Sequence, residues 1–397
     1  MAVASPVVRF LHTADWQIGK PYARVPDPEK RARLKQVRLE AIARLGAVAK
    51  AERAAFVLVA GDLFDSIGPT LAEVAQACSA IGAIPLPVLV IPGNHDHGGP
   101  GSLWQEPWFL AVQRELAPNL QVLLERKPLL LPEALLLPCP LLRQAEPLDP
   151  TAWVRQLDFD RYGALPRLLL AHGSVHGFGG DEGGDGDGEN PAVAANRIDL
   201  NALPLGELDY IALGDWHGLK QVGPKAWYAG CHEPDRFPRA AGYRSGQGLL
   251  VEVQRGQLPQ VTPHGTGSVA WQQIRQRFND DSDLACLEQQ LSDCLGARSG
   301  SDLLLLELEG SLSLEAAAQL QALLQRLEAR LLRLKLRDCT SVAPNELELK
   351  QLTERPGDPL VARVAQRLQA LASAAGEEAE LARLALRELH GACQGRS

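Results

Sequence analysis

Five short apolar runs each end in residue types that ligate metals. Residues 7–11 lead into His12, Thr13, Ala14, Asp15, Trp16 and Gln17, and residues 56–60 into Gly61, Asp62, Leu63, Phe64 and Asp65. Residues 88–92 lead into Gly93, Asn94, His95 and Asp96, residues 168–171 into His172 and Gly173, and residues 210–213 into Gly214, Asp215, Trp216 and His217. Runs this short have the length of strands, and a strand without polar alternation is buried on both faces. Leu34, Val37, Ala41, Ile42, Leu45 and Val48 recur at helical spacing, as do Leu71, Val74, Ala75 and Cys78. Strands alternating with amphipathic helices predict an α/β layered domain. In open α/β sheets, ligands bind beyond the carboxyl ends of strands, which is where all five clusters fall. A Gly-Asp or Gly-Asn after a strand is by itself an ordinary turn. The shared location is what points to a site.

Composition narrows the function. The chain has 397 residues, 46% apolar and 22% charged, enough for two or three soluble domains. No apolar run reaches eighteen residues, so no membrane-spanning helix is expected. The start, MAVASPVVRF, lacks the basic-then-apolar pattern of a secretory signal. Seven cysteines are scattered without a CxxC pair, which predicts neither a disulfide framework nor a zinc knuckle and fits a cytoplasmic setting. A net charge of −8 excludes a highly basic, histone-like DNA binder. It leaves open an enzyme that grips phosphates through metal ions. Gly and Pro cluster over 256–275 and predict a boundary. The expected division is 1–260, a small α/β cap over 261–345, and a helical tail over 346–397 with a possible docking role. The acidic, glycine-rich stretch 178–191 reads as a surface loop.

The order DxQ, GD, GNHD, H, GDxH resembles the calcineurin-like metallophosphoesterase pattern, and LHTADW, GDLFD, PGNHD and ALGDWH resemble its SbcD-type DNA-repair nuclease branch. The stretch 227–234 (WYAGCHEP) is similar to that branch's sheet-closing segment, with Cys231 where a serine or threonine is usual. The resemblance implies a two-sheet β-sandwich flanked by helices. It implies two divalent ions, with Asp62 bridging both. One ion would take Asp15, Gln17 and His217; the other would take Asn94, His172 and Asp215. His95 would protonate the leaving oxygen, with Asp96 orienting its ring. It further implies DNA as substrate, a homodimer, and a coiled-coil SMC-like ATPase partner of the SbcC type. No GxxxxGK[ST] occurs in the chain, so ATP dependence would come from such a partner.

Two residues depart from the family pattern: Gln17 and Asp215 stand where histidines are usual. Gln offers a neutral amide oxygen, and Asp215 adds a third carboxylate, so the donor set leans toward Mn²⁺ or Mg²⁺ over Zn²⁺. Two other readings compete with the nuclease. One is a phosphodiesterase or phosphatase for small molecules; the other is a catalytically weakened scaffold that binds DNA and an ATPase. Further candidates have bland alternatives. His12 reads as core, and His97 and His176 as exposed loop. Asp65 supports the bridging region or caps a segment. Arg236 and Arg239 meet phosphate or form surface ion pairs. Trp104 and Trp108 stack on a base or pack a helix. Lys20, Arg24, Lys30, Arg31, Arg33, Lys35 and Arg38 track a DNA backbone or form a solvated helix face.

Overall fold

The structure, a computed structural model, describes residues 5–175, 195–238, 242–298, 300–342, 345–373 and 376–394. The stretch 178–191, His176 and Arg239 lie outside the described residues. The chain divides into two compact units, residues 1–269 and 270–397.

In the first unit, strands β1 (Val7–Thr13), β2 (Val57–Ala60), β3 (Val88–Ile91) and β4 (Leu120–Val122) are connected through helices α1 (Pro28–Ala51), α2 (Leu71–Gly82) and α3 (Pro107–Leu116). Then come β5 (Leu129–Leu130), β6 (Leu135–Cys139), β7 (Arg167–His172), the short pair β8 (Ser174–Val175) and β9 (Arg197–Ile198), β10 (Tyr210–Gly214), β11 (Lys220–Gly223), β12 (Ala226–Tyr228), β13 (Gln247–Gln254) and β14 (Gln260–Gly265). They form two six-stranded mixed sheets, ordered β14-β13-β1-β2-β3-β4 and β11-β12-β10-β7-β6-β5.

The continuous apolar runs are explained by burial on both faces. Leu58, Ala60, Leu89 and Ile91 of the first sheet pack against Leu168, Leu170, Tyr210 and Ala212 of the second. Their neighbours in sequence point the other way, as period-two alternation requires. Val57, Val59, Val88 and Val90 meet Ile42 and Leu45 of α1, Val74 and Ala77 of α2 and Phe109 of α3. Leu169, Ala171, Ile211 and Leu213 are covered by Val154, Phe159 and Leu203. This is the expected two-sheet sandwich flanked by helices.

The first unit ends later than the expected boundary at 260. Residues 260–265 form β14, which pairs antiparallel with β13 from Gln247↔Gly265 to Glu252↔Gln260. Pro263 and the polar residues around it disguise this strand. At a sheet edge, proline's missing N–H removes no ladder bond.

The second unit holds β15 (Ala270–Phe278), α4 (Asp283–Leu295), β16 (Asp302–Leu312), α5 (Leu314–Arg330) and β17 (Arg333–Val342). It is a parallel sheet ordered β15-β16-β17, whose core joins Ile274, Leu304, Leu306 and Leu308 to Leu287, Leu291, Leu320 and Leu327. Helices α6 (Glu346–Thr353), α7 (Pro359–Ala372) and α8 (Glu377–Gln394) belong to the same unit, where Leu352, Ala365 and Leu386 pack with Leu314. Among the described residues no helix is long and apolar enough to cross a membrane.

Leu170 is fully buried between the two sheets. Leu170→Ala should lower the unfolding free energy by about 2–5 kcal/mol, read as a lower urea midpoint at unchanged slope. A shift below about 1 kcal/mol would mean that the inter-sheet layer is not the packed core described.

Candidate metal centre

The loops leaving β1 and β2 are zipped together by backbone bonds. Asp15 N–H donates to Gly61 O at 3.1 Å, Gln17 N–H to Asp62 O at 2.8 Å, and Ile18 N–H to Leu63 O at 2.9 Å. Four candidate ligands have left-handed backbone: Asp15 (φ 53°), Gln17 (φ 42°), Asp62 (φ 54°) and Asp215 (φ 102°). Each such non-glycine residue costs roughly 1–3 kcal/mol, a strain that surrounding contacts must hold in place. Two glycines of the motifs are required by close approach. A Cβ on Gly61 would meet His172 Nδ1 at 2.2 Å, and one on Gly93 would meet Asp62 Oδ1 at 2.1 Å.

Arg38 is the main restraint on the first loop. It is 1% exposed and donates to Trp16 O at 2.5 Å, Asp15 O at 3.2 Å, Glu233 O at 3.2 Å and Tyr22 Oη at 3.2 Å. The basic stretch is therefore no uniform solvated face. Arg38 lies on the buried stripe of α1 with Leu34, Ala41 and Leu45, and a charge on an apolar stripe is the signal for it.

Asp15, Asp62, Asn94, His172 and Asp215 come together. His172 Nε2 lies 2.8 Å from Asn94 Oδ1, 3.6 Å from Asp62 Oδ1 and 3.8 Å from Asp215 Oδ1. His172 Nδ1–H donates to Ala60 O at 2.8 Å, which turns Nε2 toward the acids. Asp215 N–H donates to Asp15 Oδ1 at 3.1 Å, and Ser174 Oγ–H donates to Asp215 Oδ2 at 2.6 Å. Asp15, Asp62 and His172 offer ligand atoms within 4.8 Å of one another, all buried.

The electrostatics call for a cation there. Burial pushes the Asp15 carboxyl up, and the nearby Asp62 and Asp215 charges add to this against His172. Burial pulls His172 down, but Asp62, Asp15 and Asp215 outweigh it and raise the ring to about 9. His172 Nε2 and Asn94 Oδ1, 2.8 Å apart, face each other beside these acids. Buried carboxylates beside an imidazole and an amide oxygen suit a hard or borderline divalent ion. This donor set fits one.

The other expected set differs. Gln17 Oε1 accepts from Lys20 Nζ at 2.8 Å, and Gln17 Nε2 lies 3.4 Å from His217 Nε2. His217 Nδ1–H donates to Asp235 Oδ2 at 2.8 Å, and Arg236 Nη2 lies 3.3 Å from His217 Nε2. Burial first, then Arg236, brings His217 down to about 4. The buried Asp235 carboxyl is held well below its usual range because Arg236, His217 and Lys20 outweigh the effect of burial. Sequence reasoning misses Asp235, because an acid beside an arginine has no distinguishing mark. His217, Cys231 and Asp235 also cluster within 4.8 Å. Two cations stand beside them: Lys20 Nζ lies 3.4 Å from Asp235 Oδ2 and Arg236 Nε 3.2 Å from Asp235 Oδ1.

His95 sits at the edge of the acid cluster. Its Nδ1–H donates to Asp65 O at 2.8 Å, and its Nε2 lies 3.9 Å from Asp62 Oδ2. Asp96 does not orient this ring. Its two oxygens accept from Gly93 N–H at 2.8 Å and Phe64 N–H at 3.0 Å, so it ties the GNHD loop to the GDLFD loop instead. Asp65 carries the orienting carbonyl, while its carboxylate lies 3.5 Å from Lys20.

The remaining candidates divide. Trp104 is buried against Phe64 and Phe109, and Trp108 is 38% exposed. His12 is core, with Nδ1 2.9 Å from Tyr210 Oη, and His97 is half-buried rather than exposed. Arg236 is no surface residue: its side chain is 13% exposed and its Nε donates to Asp235 Oδ1 at 3.2 Å.

Arg38→Leu deprives three backbone carbonyls of their donor. It should lower the unfolding free energy by about 3 kcal/mol and weaken Mn²⁺ binding, read by urea denaturation and metal titration. Unchanged metal affinity in the variant would show that the clamp does not position Asp15.

The family model for calcineurin-like phosphoesterases matches residues 8–219, over half of the 397. Two curated relatives carry the name of the D component of the nuclease SbcCD. The one from Bacillus subtilis (strain 168) is 32% identical over 94 residues, 23% of this chain and 22% of that protein. The one from Rhodobacter capsulatus is 31% identical over 255 residues, 59% of this chain and 56% of that protein. The matches thus span less than two thirds of either relative's length. Among solved structures, the protein TT1561 of Thermus thermophilus aligns with a TM-score of 0.37 and 11% identity, over 65% of this chain and 99% of that one, a score too low to carry an argument. The family match and the geometry of the five strand-end loops agree: this chain belongs to the calcineurin-like phosphoesterases.

Proposed function

We propose that this chain hydrolyses phosphodiester bonds of DNA in a metal-dependent reaction, as an SbcD-type nuclease subunit. The observation that carries the reading is the convergence of Asp15, Asp62, Asn94, His172 and Asp215 on one point with His95 at its edge. The two relatives' shared name supports the nuclease assignment.

In this reading, Asp62, Asn94, His172 and Asp215 hold the divalent ion, Mn²⁺ or Mg²⁺, with Asp15 beside them. Such an ion supplies Lewis-acid polarisation of a phosphate oxygen and of an attacking water. The protein's own groups do the rest. The Ala60 carbonyl fixes His172 with Nε2 toward the ion. The His95 backbone N–H holds Asp62 Oδ1 at 3.0 Å, which keeps that carboxylate from rotating. Asp65 O fixes the His95 ring, so that Nε2 carries a proton toward the leaving oxygen. Burial lowers this ring's pKa, but Asp62 and the Asp65 carbonyl outweigh it and leave the net shift upward. A raised value suits a proton donor near neutral pH. Asp96 is a positioning residue that keeps the two loops in register.

The wider assignments follow the same reading: a cytoplasmic homodimer working with an SMC-like coiled-coil ATPase. Exposed Leu347, Leu360, Leu371, Leu381 and Leu384 on α6–α8 are the residues proposed to meet that partner.

End-labelled linear DNA in Mn²⁺ tests the reading. The protein should shorten it, EDTA should stop the reaction, and Asp62→Ala should leave no clear signal. Equal traces from the two proteins would sink the assignment. Cleavage of a chromogenic phosphodiester with none of DNA would move the substrate to small molecules. His95→Ala should lower turnover by about 10²–10⁴-fold while metal binding is retained. Turnover within about threefold of the parent would remove His95 from the reaction.

A further inference from the structure

The acids around His172 and the residues around His217 are differently provisioned with charge, and the difference lies in two basic side chains, Lys20 and Arg236. Lys20 Nζ is 2.8 Å from Gln17 Oε1, 3.4 Å from Asp235 Oδ2 and 3.5 Å from Asp65 Oδ1, and its side chain is only 13% exposed. Gln17 has one oxygen to offer a metal, and this ammonium bonds to it. The donor side of the amide, Nε2, is turned to His217 at 3.4 Å.

His217 has a cation beside it, although not on its lone pair: the guanidinium of Arg236 lies nearer to Nδ1 than to Nε2. The imidazole Nδ1–H is directed to Asp235 at 2.8 Å, which leaves Nε2 as the nitrogen with a lone pair to give. Arg236 Nη2 stands 3.3 Å from that Nε2 and 2.7 Å from Nδ1. The guanidinium is itself anchored on Asp235 through Nε and Nη2, each at 3.2 Å. A second divalent ion on Gln17 and His217 would have to sit against an ammonium and a guanidinium already fixed there. Two like-signed centres at such separations repel, and more strongly where water is scarce.

We propose that this centre takes one divalent ion, at Asp62, Asn94, His172 and Asp215, and that Lys20 and Arg236 replace the other ion as resident cations. The inference rests on reading the Asp62 side as a metal site, and goes beyond it in fixing the number of ions and in giving Lys20 and Arg236 a function. Gln17 thereby gains a reason. An amide accepts a hydrogen bond from a lysine while donating toward an imidazole, which a histidine at that position would do only in one tautomer.

The test is a count of bound Mn²⁺ on the full chain, by equilibrium dialysis with elemental analysis, together with the electron paramagnetic resonance spectrum. One ion per chain with the six-line spectrum of isolated Mn²⁺ is expected. Asp62→Ala should lose the ion, and His217→Ala should keep it with affinity within about threefold. The triple variant Gln17→His, Lys20→Ser, Arg236→Ser should rise toward two ions and show an exchange-coupled multiplet. Two coupled ions in the unmodified protein, or loss of the single ion in His217→Ala, would overturn the inference while leaving metal-dependent hydrolysis standing. No bound ion at all would overturn the underlying reading of the site as well.

Discussion

Three carboxylates, those of Asp15, Asp62 and Asp215, meet beside a single imidazole at the ends of strands buried on both faces. Two of the three, Asp15 and Asp62, are themselves almost completely buried. Such an arrangement is unfavourable for the protein alone, because each charge has lost water and gained a like-charged neighbour. The upward pull on Asp15 and His172 expresses this in protons. A divalent cation answers both problems at once, since the largest local charge in such a site is the ion's own. The opposite balance rules a few residues away, where Lys20 and Arg236 hold Asp235 ionised against burial. One side asks for a cation and the other already has two.

This charge pattern depends on backbone the sequence alone would not choose. Four of the candidate ligands stand at positive φ, and none of them is a glycine. The strain is borne by groups that touch no reacting atom. Arg38 ties the Asp15–Trp16 carbonyls to Glu233, and Asp96 ties Gly93 to Phe64. The sandwich supplies the frame. Its period-two alternation sends one set of side chains to the opposite sheet and the other to the helices, so the strand ends are fixed from both sides.

Much of this is legible in the sequence for physical reasons. A strand buried on both faces has to be a short apolar run, and residues 56–60, 88–91, 168–171 and 210–213 have no other good use. The motif residues then fall where strands end, so position and residue type together mark Asp62, Asn94, His172 and Asp215 as candidates, while their separate roles are what the family resemblance implies. The features that stay hidden lack such marks. Edge strand β14 carries Pro263 and exposed polar residues, so it reads as linker. Arg38 and Lys20 look like any other member of a basic run until burial singles them out. Asp96 meets other partners than the expected imidazole, because adjacency in GNHD says nothing of where a side chain turns. One oxygen is taken by Gly93 N–H of its own loop and the other by Phe64 N–H, which comes within reach only when the two loops meet.

Crystals soaked in Mn²⁺ and measured at the manganese edge would test the central claim most directly. The account predicts anomalous density within bonding distance of Asp62 and His172, at the point where Asn94 and Asp215 also converge. Density at His217, Cys231 and Asp235 with none between Asp62 and His172 would contradict it.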